Sequence, residues 1–186
     1  MALLIAGLAL WIAAHLFKGV APGPRAEMTA RMGSASKGIF AILLVLSVVL
    51  MVMGYRAAAF VPVWSPPQWG VHVVDLGMIF AIGLFALGHS KSPLRGRIRH
   101  PQLWGFALWA ALHLLVNGDL ASLVLWGTLL VWALMEMPII NARDGAWEPY
   151  RGGTTAGTIR LVVIAIVVYL VVAGIHAWLG VWPFPR

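Results

Sequence analysis

Six histidines are the side chains of this sequence best suited to hold a ligand or pass a proton: His15, His72, His89, His100, His113 and His176. His113 is the most informative. It sits in Arg99 to Asp119, RHPQLWGFALWAALHLLVNGD, where a basic cluster and a proline lead into a short apolar helix that stops at Asn117-Gly118-Asp119. An ionisable group at hydrocarbon depth is costly, so its presence calls for a ligand, a proton or a partner. Spacing ties the histidines to other side chains. Trp11 and His15 are four apart and share a face of the first helix; Trp109, His113 and Asn117 share a face of the fourth by the same spacing. His72 and Asp75 are three apart. That lets a carboxylate take a ring N–H and fix the other nitrogen, as around a metal-bound imidazole. An aspartate near a helix start is also favoured by the helix dipole, and both readings can hold for Asp75.

Two imidazoles from different helices, in an apolar bundle rich in Trp, Phe and Met, suit haem b: iron takes neutral nitrogens and hydrocarbon walls take the macrocycle. The same histidines also suit hydrogen bonds between helices. Depth puts His113 near mid-span or towards one face, His72 and His176 near that face, and His15 near the other. Depth alone therefore pairs His113 with His72 or His176, and tilt would have to bring His15 level. His89 and His100 fall in a basic loop, where His89 reads as an interfacial side chain.

The elements that must position these groups are membrane spans. The 186 residues are 61% hydrophobic and 10% charged, with a mean hydropathy of +0.90, against about 25% charged in a soluble domain. A span needs about 20 apolar residues. Six stretches qualify: 2–17, 39–59, 71–87, 103–116 (the shortest), 120–140 and 159–181. The expected fold is all-α, an integral membrane bundle of about six transmembrane helices forming one domain over 1–186. The first run lacks a basic leader and already holds Trp11 and His15, so it reads as a span rather than a cleaved signal. Residues 25–37 read as a short amphipathic interfacial segment. The second span, aliphatic except for Ser47, reads as lipid-facing scaffold. Pro62, Trp64, Pro66, Pro67 and Trp69 make a rigid loop at aromatic-belt depth.

The net charge of +7 is asymmetric. Lys18, Arg25, Arg31 and Lys37 follow the first span; Lys91, Arg95, Arg97 and Arg99 follow the third; Arg143, Arg151 and Arg160 follow the fifth. The segments 62–70 and 117–119 carry no basic residue. The positive-inside rule then puts the basic loops in the cytoplasm and both termini outside. Lipid headgroups are sufficient partners for this charge, so nucleic-acid binding is not expected. The absence of cysteine excludes disulfides, thiolate ligands and covalent c-type haem. No dinucleotide fingerprint, P-loop, zincin motif or nucleophile elbow is present.

One family likeness runs nearly the whole length. Its pieces are His15 followed by Pro24-Arg25, then Gly54-Tyr55, then Trp64-Ser65-Pro66-Pro67 with Gly70-Val71-His72. The longest piece runs from Arg99-His100-Pro101 through Leu108-Trp109-Ala110 and His113 to Asn117-Gly118-Asp119-Leu120-Ala121-Ser122-Leu123. In these the chain resembles the NnrU family, bacterial membrane proteins associated with denitrification and nitric oxide metabolism and related to the haem-b-binding plant zeta-carotene isomerase. The resemblance implies a bacterial inner-membrane protein with haem b on His15 and His113, and redox, gas-sensing or isomerase chemistry on a small apolar or gaseous substrate. It also matches His72, which Asp75 would orient as a substitute ligand, and Arg99 to Gln102. The plant enzyme has a cysteine where this chain has Ala110, so a ligand switch using that cysteine is absent. The second half, with Arg99-His100-Pro101, Gly105, Glu136 and Trp147-Glu148-Pro149-Tyr150, also resembles membrane isoprenylcysteine methyltransferases. That likeness implies S-adenosylmethionine held by Arg99, His100 and Glu136; otherwise Arg99 and His100 are interfacial anchors and Glu136 pairs with an arginine such as Arg143. A third expectation is a non-enzymatic membrane factor or transporter for denitrification.

Overall fold

The computed structural model describes residues 1–184, and the regular elements in them are all helices. α1 (Ala2–Val20) is followed by α2 (Pro22–Met32), α3 (Ala35–Arg56) and α4 (Gly70–Leu87). A 3₁₀ turn (Pro93–Arg97) leads to α5 (Pro101–Val116), α6 (Leu120–Asp144) and α7 (Thr155–Trp178). Five of these, α1, α3, α4, α6 and α7, are long and apolar enough to cross a membrane. α5 has 16 residues, roughly 24 Å at 1.5 Å per residue, and is the short member of the bundle.

Most boundaries fall near the expected ones, and the differences have local causes. α1 runs on to Val20 before Pro22 restarts the chain as α2. Residues 22–32 form a helix with no buried residue, and Gly33 in the left-handed region (φ 56°) ends it. α3 starts four residues earlier than expected, and α6 continues through Pro138 to Asp144. Pro93 and Pro101 each sit in the first turn of their elements, where a missing N–H costs nothing.

Packing runs as a row of neighbours: α3 on α1, α1 on α6, α6 on α5, α5 on α4, and α4 on α7. α3 is more than the expected lipid-facing scaffold, because a stripe of Ser47, Met51 and Gly54 is buried. Gly7 and Gly54 allow the close approach. A Cβ on Gly7 would lie 2.7 Å from the Ser47 carbonyl oxygen and the Met51 nitrogen, and one on Gly54 would meet the Leu4 backbone. Small residues at such contacts replace the hydrophobic drive that is missing between helices in lipid.

Nearly all basic side chains gather where α1, α4 and α6 end and α3, α5 and α7 begin, here called the basic end. Arg56, which closes α3, is the one lysine or arginine at the opposite end among the described residues. The opposite end is tied by backbone. Val63 and Trp64 N–H donate to the Gly118 carbonyl at 2.8 and 3.1 Å, and Leu120 N–H to the Val61 carbonyl at 2.9 Å. Pro62 and Asp119 form an isolated β-bridge.

Candidate functional site

The helices deliver an aromatic column with a histidine at each end. His15 packs on Trp11 (ring centroids 4.3 Å) and Trp132 (4.6 Å). Trp132 packs on Phe106 (5.1 Å), Phe106 on Trp109 (5.1 Å), and Trp109 on His113 (5.1 Å). Trp126 stacks on His113 at 4.1 Å and meets Trp109 edge-on at 4.7 Å. Spacing in the sequence marks Trp11 and Trp109 but not Phe106, Trp126 or Trp132. Their only sequence signal was the aromatic content of the fourth and fifth spans. The indole N–H groups of Trp11, Trp126 and Trp132 are buried without hydrogen-bond partners. Trp11 with Trp132 and Trp109 with Trp126 are near-perpendicular, 82° and 89°, the packing in which an aromatic edge faces a π cloud.

Both end histidines are presented alike. His15 Nδ1 donates to the Trp11 carbonyl and His113 Nδ1 to the Trp109 carbonyl, each at 2.9 Å. A carbonyl only accepts, so the proton is on Nδ1 and the Nε2 lone pair is left free. This is how a protein orients an imidazole for a metal. His176 does the same with the Val172 carbonyl at 2.8 Å.

The two ends are far apart. Three aromatic side chains, Trp132, Phe106 and Trp109, lie in series between the imidazoles. Trp126 and Trp132, the α6 partners of His113 and His15, are six positions apart, roughly 9 Å along the helix at 1.5 Å per residue. Two imidazoles on one metal need nitrogens about 4 Å apart, twice a metal–imidazole bond of about 2 Å. In this packing aromatic side chains stand between the two imidazoles that the likeness pairs on one iron. Each histidine fits as a lone imidazole ligand. The ring of His176, a partner that depth allowed, is not among those packed on His113. Among the described residues no group of three or more His, Asp or Glu side chains could hold a metal ion.

Other expected site residues have different partners. Asp75 accepts from the Tyr169 hydroxyl at 3.1 Å, because α7 packs on α4 at that level. His72 is exposed, and the expected Asp75–His72 bond is not formed. Asn117 Nδ2 donates to the His113 carbonyl at 2.8 Å and so satisfies one of the free carbonyls at the end of α5. Arg99 Nη2 donates to the Gly145 carbonyl at 2.6 Å. His100 Nε2 donates to Asn141 Oδ1 at 2.7 Å, and Gln102 Nε2 to His89 Nε2 at 3.0 Å. The Arg99-His100-Pro101-Gln102 run thus clamps α5 to the end of α6 and to the segment after α4. Glu136 is 7% exposed with Oε2 unpartnered. Its expected arginine partner, Arg143, instead binds Asp144 at 2.6 and 3.0 Å.

At the opposite end, Ser122 is fully buried. Its hydroxyl lies 2.8 Å from the Tyr55 hydroxyl and donates to Asp119 Oδ2 at 2.5 Å, and its N–H donates to Asp119 Oδ1 at 3.0 Å. Asp119 caps α6 in this way. Burial opposes ionisation of Asp119, but the Ser122 hydroxyl and nearby backbone N–H groups outweigh it and hold the carboxyl below its ordinary value.

The model of one family, described as NnrU protein, matches residues 3–183. The chain belongs to the NnrU family. No curated protein and no solved structure matches it. The matched range includes the aromatic column, both of its histidines and the contacts at the two ends.

Proposed function

We propose that this chain is a multi-pass protein of the bacterial inner membrane that binds haem b through His113 and serves nitrogen-oxide metabolism. In this reading α5 crosses with the five longer helices, the basic end is cytoplasmic and both termini are outside. Family membership supports a membrane role linked to denitrification. The observation that carries haem is the His113 imidazole. Its Nδ1 proton is fixed on the Trp109 carbonyl, its Nε2 is free, and the indoles of Trp109 and Trp126 provide apolar surface beside it. His113 is favoured over His15 because it stacks on the Trp126 indole at 4.1 Å with 27° between planes, whereas both indoles beside His15 are tilted. His113 would hold the haem b, which would supply redox or gas-binding chemistry there. Asn117 fixes the end of the His113 turn, and the aromatic column excludes water. No specific observation favours the methyltransferase reading or the transporter reading.

The test is absorption spectroscopy of protein purified from haem-supplemented cells. The parent chain is expected to carry a stoichiometric Soret band and to bind carbon monoxide when reduced. His113→Ala should lose the band; His15→Ala, His89→Ala and His176→Ala should keep it. A band that survives in folded His113→Ala overturns the ligand assignment. Sharp low-spin bands that require both His113 and His15 overturn the single-imidazole reading and restore the pair. A colourless protein that takes up no added haem refutes the proposal outright.

A further inference from the structure

α5 faces α4 and α6 across a groove of about 610 Å³ that opens sideways, within the roughly 300–1,000 Å³ typical of ligand sites. Its walls are hydrocarbon: Leu84 of α4, Ala107 and Ala111 of α5, and Leu130 and Leu134 of α6. Trp104, about half exposed, stands at the rim near the basic end. Arg97 and Arg99 close that end, and no carboxylate lines the groove. From Trp104 to Ala111 the groove follows α5 for seven positions, roughly 10 Å. The two alanines keep that helix face low where a larger side chain would fill the space.

The charge at the mouth is available. Arg97 is exposed and forms no salt bridge among the described residues. Arg99 donates one N–H to the Gly145 carbonyl, and a guanidinium has five. Two guanidinium groups beside an apolar trough match a phosphate with a hydrocarbon chain attached. Basic pockets between membrane helices bind anionic headgroups by this logic. We infer that the groove binds an anionic glycerophospholipid, its phosphate between Arg97 and Arg99 and one acyl chain along Ala107 and Ala111. A zwitterionic lipid offers the same chain but brings a cationic group to the arginines, so headgroup charge discriminates.

The probe is phosphatidylglycerol, titrated onto the full chain in detergent and read by native mass spectrometry, with phosphatidylcholine of the same acyl chains as the comparison. Phosphatidylglycerol is expected to bind several-fold more tightly. Arg97→Gln and Arg99→Gln should each weaken it about five-fold, the factor that follows from about 1 kcal/mol per basic side chain at an anionic surface. Both should leave phosphatidylcholine unchanged. Ala111→Phe should weaken both lipids by filling the trough. Lys37→Gln, on α3, should change neither. The Arg97 side chain makes no hydrogen bond among the described residues, so Arg97→Gln carries the test if Arg99→Gln disturbs the fold. Equal affinity for the two lipids overturns the proposal. So does a Lys37→Gln effect as large as that of Arg97→Gln, which would mean general surface charge. Displacement of phosphatidylglycerol by equimolar inorganic phosphate also overturns it, because the chain would then contribute nothing.

Discussion

The buried link between Tyr55, Ser122 and Asp119 makes the sharpest stability prediction, because each of its bonds is geometrically defined. Tyr55→Phe removes one neutral hydrogen bond to a fully buried hydroxyl. Such bonds contribute about 0.5–1.5 kcal/mol, and about 0.6 on average in membrane bundles, so a loss of about 1 kcal/mol is expected. Ser122→Ala removes that bond and the one to Asp119 Oδ2, and it leaves two polar groups short of partners, so about 2 kcal/mol is expected. The Tyr55→Phe/Ser122→Ala double variant should then fall short of the sum by about 1 kcal/mol, since the shared bond is lost only once. Reversible unfolding in mixed micelles, followed by tryptophan fluorescence, gives all four corners of the cycle. The pH dependence is a second reading. The folded Asp119 carboxyl titrates below its ordinary value, so its contribution is present above the unfolded value and is lost as pH falls through the folded one. In Ser122→Ala that acid loss should shrink and its midpoint should rise towards the ordinary aspartate range. Strict additivity of the two substitutions, with an unchanged acid limb, would refute the link.

Three further outcomes follow. Gly54→Val forces a side chain into the Leu4 backbone and should cost about 1–3 kcal/mol by overpacking, read as a lower unfolding midpoint. Trp132→Ala empties a site that is 6% exposed and should cost about 3–5 kcal/mol; Trp178→Ala, at 84% exposed, should stay within about 0.5 kcal/mol. Asp75→Asn should keep the acceptor for Tyr169 and leave a His113-dependent haem spectrum unchanged; a lost Soret band would return Asp75 to the ligand set.

The spans were legible in the sequence because lipid imposes a length and a composition, and Pro22, Pro101 and Asp119 mark their breaks in one-dimensional form. The charge asymmetry likewise marked the basic end, with Arg56 as its exception. Contacts between helices were not legible. The four-residue spacing of Trp109 and His113 put them on one face, yet which ring from another helix would stack there depended on the register of α6, which brings Trp126 rather than Trp132 to that level. Asp75 was within reach of His72 by spacing, but α7 supplied Tyr169 as its hydrogen-bond partner. Ser47, read as an isolated polar residue in a lipid-facing span, lies in the stripe that packs on α1, and only the facing Gly7 explains why α3 approaches there.

The run Arg99-His100-Pro101-Gln102 is where the clamp and the methyl-donor reading make opposite predictions. His100 reaches Asn141 and Arg99 reaches Gly145, residues at the end of α6, while Gln102 reaches His89 beyond α4. Three polar contacts on either side of one proline hold α5 between its neighbours at the level where it starts. If that is their work, His100→Ala and Asn141→Ala should each lower the unfolding midpoint. Their double variant should be no worse than the more damaging of the two, a coupling of about 1 kcal/mol. Neither should alter the His113-dependent spectrum, because His100 and His113 lie thirteen positions apart on α5 and its cap, roughly 20 Å at 1.5 Å per residue. A cofactor contact behaves in the reverse way. Binding of S-adenosylmethionine, measured by calorimetry, that is present in the parent chain and abolished in His100→Ala with no change in unfolding midpoint would assign these residues to a ligand and leave the clamp as an incidental geometry.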